Sequence, residues 1–397
     1  MEKVNYMKIE RNEIIKYLTT VSLSSLANSA SALAVYWYVL ETTASVETLI
    51  MAGILQSLPT VFAFIIANIA KGKSSRFFMW VSDAIRAVLF IALFLTCDLK
   101  YSVWIVIVIN IVLHVLEQLR TTATTTIIAE LNEKQTKYGI WVGMSNGIKS
   151  IFELIGVASC GYFFEKIGYK FTFISIALFF ILSTVVSFTI KENAEITEDA
   201  KHIRPLSMLK QITHNVNILG IITLAVIIST VFSPLEIILT SFVHTILKKG
   251  ALYYGIVDGL LMFGMIVGAF LFSFISKKIQ NKKLLSYILL FCAVIFISLS
   301  IFHDQFVFSF LILLLGISLS LIDSTLDLWL LRIIPQEGRI AFFALISFLL
   351  ALTSPLGNIL LSYMVNIGLI SVIFIIFGVI ILVALLFSVF LINERND

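Results

Sequence analysis

The sequence predicts an all-α integral membrane protein whose twelve transmembrane helices form two six-helix bundles. Hydrophobic residues make up 59% of the 397 residues and charged residues 13%, about half the charged share of a soluble domain. The mean hydropathy is +1.02. The apolar runs reach the roughly 20 residues that a spanning helix needs, whereas a barrel strand needs only about 10 alternating residues.

Twelve predicted spans follow one another along the chain, and the Lys and Arg residues orient them. Twenty of the 28 basic residues lie in loops or at span ends on one side, five lie in loops or at a span end on the other side, and three lie deeper inside the spans. Because basic residues concentrate in cytoplasmic loops, we expect both termini in the cytoplasm of a cell that carries the protein in its plasma membrane. The spans cover residues 14–40, 46–70, 77–97, 102–127, 139–163, 169–190, 216–243, 250–275, 284–302, 306–334, 340–366 and 369–392.

The longest polar segment divides the spans six and six, which predicts a duplicated architecture. We expect an N-terminal bundle at residues 1–190, a cytoplasmic linker at 191–215 and a C-terminal bundle at 216–397. Basic loops begin at Lys71 and Lys277, 206 residues apart, and the same offset separates Glu117 from Asp323. Two shared landmarks in the same orientation predict a parallel repeat, in which a pseudo-two-fold axis along the membrane normal relates the bundles.

Charged residues inside the predicted spans are the first candidates for a functional site, because a charge within the bilayer is costly. At a rise of about 1.5 Å per residue, Glu117, Glu153 and Asp323 lie about 15 Å deep, near the midplane. The full set is Asp83, Glu117, Glu153, Glu236, Asp258, Asp323 and Asp327 among the acids, and Arg86, Arg120 and Lys149 among the bases.

The segment LHVLEQLRTT at residues 113–122 carries an imidazole, an acid and a base on one side of a helix. Glu117 is the candidate proton-coupling residue, with its charge offset by Arg120. Alternatively, Glu117 and Arg120 form a bridge that only holds helices together. His114 either titrates near neutral pH or hydrogen-bonds a neighbouring helix.

The spacing of the other charges leaves two interpretations for each pair. Asp83 and Arg86 are spaced for an ion pair within one helix, which serves either as a cytoplasmic gate or as a structural pair. Lys149 and Glu153, four residues apart, can neutralise each other or act in coupling.

Asp323 and Asp327 share a helix face. Two carboxyls close together in low-dielectric surroundings resist ionising together, so one of them could carry a proton. A water-filled cavity would accommodate the same two acids without any titration. In span 1 the many Ser, Ala and Asn residues either permit close helix packing or line a polar path, where Asn28 and Trp37 are the candidate lining residues.

Four motifs resemble those of the major facilitator superfamily, and most closely its branch of macrolide-efflux and enterobactin-exporter proteins. The resemblance covers nearly the whole chain, and the order and spacing of the motifs carry it. The motifs are SALAVYWYVLETTAS with Trp37, Thr42 and Ser45; VSDAIRAVLF with Asp83, Arg86 and Ala87; ELIGVASCGYFFEKIGYKFTFI in span 5; and YYGIVDGLLMFGMIVGAFL in span 8.

This resemblance implies that spans 1, 4, 7 and 10 line a central cavity, with Glu117 and Asp323 facing each other across it. It implies a secondary transporter, and the expected activity is proton-coupled efflux of an amphipathic small molecule such as a drug, a macrolide or a secondary metabolite. A lipid flippase or an importer of the same fold is the alternative. Sodium remains open as the coupling ion, and we expect a monomer.

An enzyme and a nucleic-acid-binding protein both fit the sequence poorly. DSTLD at residues 323–327 has the carboxylate spacing of a prenyltransferase magnesium site, but the sequence offers no second acidic cluster of that spacing. No GxxxxGK[ST] loop is present to bind ATP. The three cysteines stand alone in apolar runs, and the basic residues lie in loops that set orientation. We therefore expect no metal, no cofactor and no nucleic acid.

Overall fold

The structure, a computed structural model, describes residues 2–61, 74–130, 138–191, 216–275, 283–333, 346, 349–366, 369 and 372–393. Within these ranges nine helical segments are long and apolar enough to cross a membrane, which confirms the prediction of a helical membrane protein. The described residues form α1 (Glu2–Thr43), α2 (Val46–Val61), α3 (Ser75–Thr96), α4 (Ser102–Glu130), α5 (Tyr138–Phe188), α6 (Val216–Phe232), α7 (Leu235–Thr245), α8 (Ala251–Ile275), α9 (Lys283–Ile301), α10 (Gln305–Ile333), α11 (Thr353–Asn366) and α12 (Ile373–Asn393).

Predicted spans 5 and 6 are joined in α5, which bends sharply at Gly168. Gly168 has φ 83° and ψ 165°, a conformation that costs glycine little because it has no Cβ. The apolar segment Met144–Phe188 has 45 residues, which would extend about 68 Å as one straight helix. Since the hydrocarbon core is about 30 Å thick, the segment is long enough for two crossings, one on each side of the bend.

Predicted span 7 is one apolar segment, Ile218–Thr245, but it consists of two helices. The break between α6 and α7 falls at Ser233 and Pro234. Proline lacks a backbone N–H and its ring clashes with the preceding turn, so an interior proline interrupts a helix. Parts of the predicted spans 2 and 11, at 62–70 and 340–345, lie outside the described residues. So does the predicted linker 191–215, except for Lys191.

The chain divides into two compact units. Unit 1 comprises residues 1–48, 55–200 and 251–255, and unit 2 comprises residues 49–54, 201–250 and 256–397. In unit 2 a cluster of fully buried phenylalanines from α7, α9, α10 and α12 forms part of the core. The Phe242 ring stacks on Phe308 at 5.5 Å between centroids and meets Phe374 edge-on at 4.9 Å. The core of unit 1 is built around α1, which packs on α4 and α5.

The close crossing of α1 and α5 depends on Gly156. A Cβ atom at this position would lie 2.3 Å from the carbonyl oxygen of Leu26 and 2.2 Å from the hydroxyl of Ser29. Ser29 also donates a hydrogen bond of 2.9 Å to the carbonyl of Glu153. Close packing of α1 against α5 at this point therefore depends on a glycine of span 5.

We expect Gly156→Ala to lower the free energy of unfolding by about 1–3 kcal/mol, because a backbone carbonyl cannot move aside as a flexible side chain can. Gly147→Ala on the same helix is the matched control. Nothing lies within 4 Å of a Cβ atom there, so alanine should leave stability unchanged or raise it by up to about 1 kcal/mol. Thermal unfolding of the purified protein in detergent measures both, and equal stability of the two variants would contradict the packing argument.

A polar cavity in unit 1

A cavity of about 140 Å³ lies within unit 1, between α1, α3, α4 and α5. Thirteen of its fourteen lining residues carry a polar or charged group, and Val21 is the exception. A cavity with this lining inside an apolar helical unit is suited to water or to a polar solute. The lining consists of Tyr17, Val21, Ser24, Ser25 and Asn28 on α1, Arg86 on α3, Glu117, Arg120, Thr121 and Thr124 on α4, and Ser145, Asn146, Lys149 and Glu153 on α5.

Glu117 is held on the cavity wall by two nitrogen groups, the Asn28 amide and the His114 ring. The Asn28 amide donates a hydrogen bond of 2.8 Å to Oε1, and the His114 Nδ1 atom lies 3.2 Å from Oε2. The Glu117 side chain keeps 28% of its surface exposed. It is therefore oriented by its neighbours and still accessible from the cavity.

Asp83 is the centre of a buried charge cluster. Its side chain is fully buried. Oδ2 accepts hydrogen bonds from Arg120 Nε at 2.9 Å and from the Ser183 hydroxyl at 2.7 Å. Oδ1 accepts one from Ser24 at 3.1 Å and lies 3.8 Å from Arg86 Nη1. These partners belong to α1, α3, α4 and α5, so one carboxylate connects four helices of the same unit.

Hydroxyl groups extend this cluster between α1 and the second arm of α5. Arg120 Nη2 donates to the carbonyl oxygen of Thr20 at 3.0 Å. The Thr20 hydroxyl lies 2.7 Å from the Ser183 hydroxyl and 2.5 Å from the Ser187 hydroxyl. All three residues are buried. Their hydroxyl groups have one another as hydrogen-bond partners, and buried polar groups require such partners.

We expect Ser183→Ala to destabilise the protein by about 1–3 kcal/mol, because it removes a hydrogen bond from a buried carboxylate. Ser175→Ala is the matched control on the same arm of α5. Ser175 is half-buried, and its hydroxyl donates to the Phe171 carbonyl of its own helix rather than to a buried charge, so its loss should change stability by less than about 0.5 kcal/mol. Urea or thermal unfolding in detergent measures the free energy of unfolding of both variants. A Ser183→Ala protein as stable as the unaltered protein would contradict the structural role of this cluster.

The alternative in which Glu117 and Arg120 form a bridge is contradicted by the structure. Arg120 pairs with Asp83 on α3 instead, and Glu117 contacts His114 and Asn28. Helix spacing allowed the Glu117–Arg120 pair, but the fully buried Asp83 carboxylate is the partner that Arg120 meets in the packed unit. The intrahelical pairs allowed by spacing are present: Arg86 lies beside Asp83, and Lys149 Nζ lies 3.7 Å from Glu153 Oε1.

The remaining candidates are divided between the two units. Asn28 lines the cavity, whereas Trp37, predicted to line it as well, is buried and stacks on Tyr254 at 5.6 Å between ring centroids. Asp323 and Asp327 are exposed on one face of α10 in unit 2, and neither forms an ion pair with another described residue. That Asp323 faces Glu117 across a central cavity stays a prediction.

Several polar residues of the site carried no sequence signal of their own. Thr20, Ser183 and Ser187 are ordinary small residues in apolar helices, and Ser145 meets the Tyr17 hydroxyl at 3.0 Å. Hydroxyl groups in transmembrane helices more often bond to their own backbone. Only the packing of the helices distinguishes those that reach another helix.

Membrane-length helices and a polar, charged cavity within one unit define a polytopic helical membrane protein with an internal polar cavity. The chain belongs to the Major Facilitator Superfamily, whose family model matches residues 17–321 and 241–397. It is therefore a membrane transporter rather than an enzyme. No curated protein sequence matches this chain significantly.

Solved structures of transporters share the fold at low sequence identity. The nucleoside transporter NupG superposes with a TM-score of 0.76 at 10% identity, covering 96% of this chain and 99% of that one. The inward-open xylose transporter XylE from E. coli gives 0.67 at 16% identity, covering 94% and 95%. A bacterial homologue of the human lysosomal transporter Spinster gives 0.69 at 13% identity, covering 96% and 95%. The predicted membrane fold is confirmed.

Proposed function

We propose that the protein is a proton-coupled secondary transporter that exports an amphipathic small molecule by alternating access. Glu117 is the residue to which we assign the coupling proton. The observation that carries the proposal is the position of this carboxyl, which is accessible from a polar cavity inside an apolar unit and is held in place by Asn28 and His114. Ionisable residues inside transporters commonly act as proton relays.

The surroundings of Glu117 favour a proton over sodium as the coupling ion. A hard metal cation is bound by several oxygen ligands. Both carboxyl oxygens of Glu117 instead face nitrogen groups, the Asn28 amide and the His114 ring. A proton needs only one oxygen and a path through water or hydroxyl groups, which the lining of the cavity supplies.

A carboxyl can gain and lose a proton during transport if its electrostatic surroundings change between states. Desolvation favours the protonated form and a nearby cation favours the carboxylate. Moving one charge across 100 mV is worth about 2.3 kcal/mol, which is comparable to the effect of gaining or losing one charged neighbour. Lys149 and Arg86 line the same cavity and are the cations that could produce such a change.

Orientation, direction and assembly are parts of the same proposal. The basic loops support a plasma-membrane protein with both termini in the cytoplasm. The predicted arrangement of two bundles about a pseudo-two-fold axis, with Asp323 and Asp327 as further proton-coupling residues, would suit alternating access.

The proposed direction of transport, export rather than import, rests on the resemblance to efflux proteins. We propose that a monomer is the working unit.

Transport by inverted membrane vesicles tests this function. Respiration acidifies the vesicle lumen, and a quenched pH-sensitive dye reports protons that leave as a substrate enters. Amphipathic compounds added to vesicles that contain the protein should restore fluorescence, and a proton uncoupler should abolish the response. Vesicles without the protein are the control. Substrate uptake that continues unchanged with the uncoupler would contradict proton coupling.

A further inference from the structure

Arg86 has a buried, charged side chain in which two nitrogen atoms lack hydrogen-bond partners among the described residues. Only 2% of its surface is exposed, and among the described residues its Nε and Nη2 atoms have no hydrogen-bond acceptor. The guanidinium lies over the Phe180 ring at 5.3 Å from the centroid. The residue also lines the cavity of unit 1. Buried polar atoms without partners are rare enough in proteins to need an explanation.

The two acids nearest to Arg86 are engaged by other groups. Asp83 accepts hydrogen bonds from Ser24, Ser183 and Arg120, and its oxygen lies 3.8 Å from Arg86, beyond hydrogen-bond distance. Glu117 is held by Asn28 and His114. Arg86 therefore has a carboxylate nearby that compensates its charge, but it lacks an acceptor for its Nε and Nη2 hydrogens.

The cavity as a whole is electrically balanced and can accept an anionic group together with a cationic one. Its wall carries three bases, Arg86, Arg120 and Lys149, and two acids, Glu117 and Glu153, while Asp83 lies directly behind two of the bases. Lys149 keeps 48% of its side chain exposed. The excess of acids within the predicted spans favours a cationic or zwitterionic substrate, but the bases outnumber the acids on this wall.

We infer that Arg86 is the anion-binding element of the cavity and that it takes a carboxylate group of an amphipathic substrate. Its planar guanidinium presents Nε–H and Nη2–H in the fork geometry that matches the two oxygens of a carboxylate. The inference rests on the proposed transport function, because it takes this cavity as a substrate site. Lys149 supplies a second positive charge on the same wall, so substrates that carry a carboxylate, including zwitterions, should be preferred over purely cationic ones.

Equilibrium binding to the purified full-length protein tests this inference without a gradient or a transport direction. The probes are 3-phenylpropionate and 3-phenylpropionamide, which have nearly the same shape but differ in charge at the group that would meet Arg86. Isothermal titration calorimetry should find saturable binding of the carboxylate, at least about tenfold tighter than that of the amide, because bonds between two charged groups are the strong ones. Absence of saturable carboxylate binding, or equal affinities, would overturn the inference.

Variants then assign the preference to Arg86. Arg86→Gln should abolish the difference between the probes, and Arg86→Lys should retain part of it, since an ammonium keeps the charge but not the fork. Lys100→Gln removes an exposed charge outside the cavity and should bind both probes as the original protein does. A carboxylate preference that persists in folded Arg86→Gln protein would overturn the assignment. If Arg86→Gln fails to fold, Arg86→Lys takes its place as the test. An Arg86→Lys protein with the full carboxylate preference of the unaltered protein would then overturn the assignment.

Failure of this inference and failure of the proposed function give different results. If carboxylate binding is found but vesicle transport resists the uncoupler, the site exists and proton coupling is wrong. If vesicles show proton-coupled transport but the two probes bind alike, the transporter proposal stands and Arg86 does not bind an anion.

Discussion

Replacing Asp83 with asparagine should lower the free energy of unfolding by about 3–5 kcal/mol, the usual effect of removing one partner of a buried ion pair. The substitution keeps the size of the side chain but leaves the charges of Arg120 and Arg86 without the carboxylate that they share. It also weakens the junction of four helices. Thermal unfolding of the purified variant, with its yield of folded protein, measures the effect.

Asp98→Asn is the matched control for this prediction. Asp98 also pairs with a base, Lys170, but it is exposed in the loop after α3, and exposed ion pairs contribute little to stability. We expect Asp98→Asn to unfold as the unaltered protein does. Equal effects of the two substitutions would contradict the structural role of the Asp83 cluster.

The same Asp83 variant separates the two interpretations of the Asp83–Arg86 pair. A cytoplasmic gate predicts a well-folded Asp83→Asn protein whose engineered cytoplasmic cysteines become more reactive, because the inward-open state is favoured. A structural pair predicts loss of stability with unchanged reactivity in the protein that remains folded. Since Ser24, Arg86, Arg120 and Ser183, which contact Asp83, all lie within unit 1, we expect the second result.

Glu117→Gln should reduce gradient-driven transport at least about a hundredfold while leaving substrate binding and downhill exchange within about twofold. Glutamine keeps the shape of the side chain and can still hydrogen-bond Asn28, but it cannot release a proton. Proton transfer by a positioned group commonly contributes factors of about 10²–10⁴. Vesicle uptake with and without a proton gradient measures both activities.

Two further variants make the Glu117 prediction specific. Glu47→Gln removes an exposed acid near the start of α2 and should leave coupling intact. The double exchange Glu117→Arg with Arg120→Glu would restore function if the two residues formed a bridge. Because Arg120 contacts Asp83 in the structure, the exchange should instead place two acids together, at residues 83 and 120, and should not rescue transport.

The parts of this site that sequence could predict are those determined within one helix. Apolar runs predict helices of membrane length, and spacing of three or four residues predicts the contacts of Asp83 with Arg86 and of Lys149 with Glu153. These contacts follow from helix geometry alone. The break at Pro234 corrects the prediction of span 7 as one continuous helix, because an interior proline interrupts a helix.

Contacts between helices could not be predicted, because they depend on how each helix is rotated about its axis. Arg120 has Glu117 one turn away on its own helix, but the rotation of α4 brings it to Asp83. Asn28 likewise reaches Glu117 from α1, across 89 residues of sequence. A single sequence gives the charged residues of the site, but the choice of partners is decided by packing.

The central claim, that Glu117 exchanges a proton, is tested most directly by infrared difference spectroscopy during a pH titration of the purified protein. The carbonyl stretch of a protonated carboxyl is distinct from that of a carboxylate. We predict that the titrating carboxyl band of the unaltered protein is lost in Glu117→Gln and retained in Glu47→Gln. An undiminished band in folded Glu117→Gln protein would contradict the account and assign the coupling proton to another acid, such as Asp323, Asp327 or Glu153.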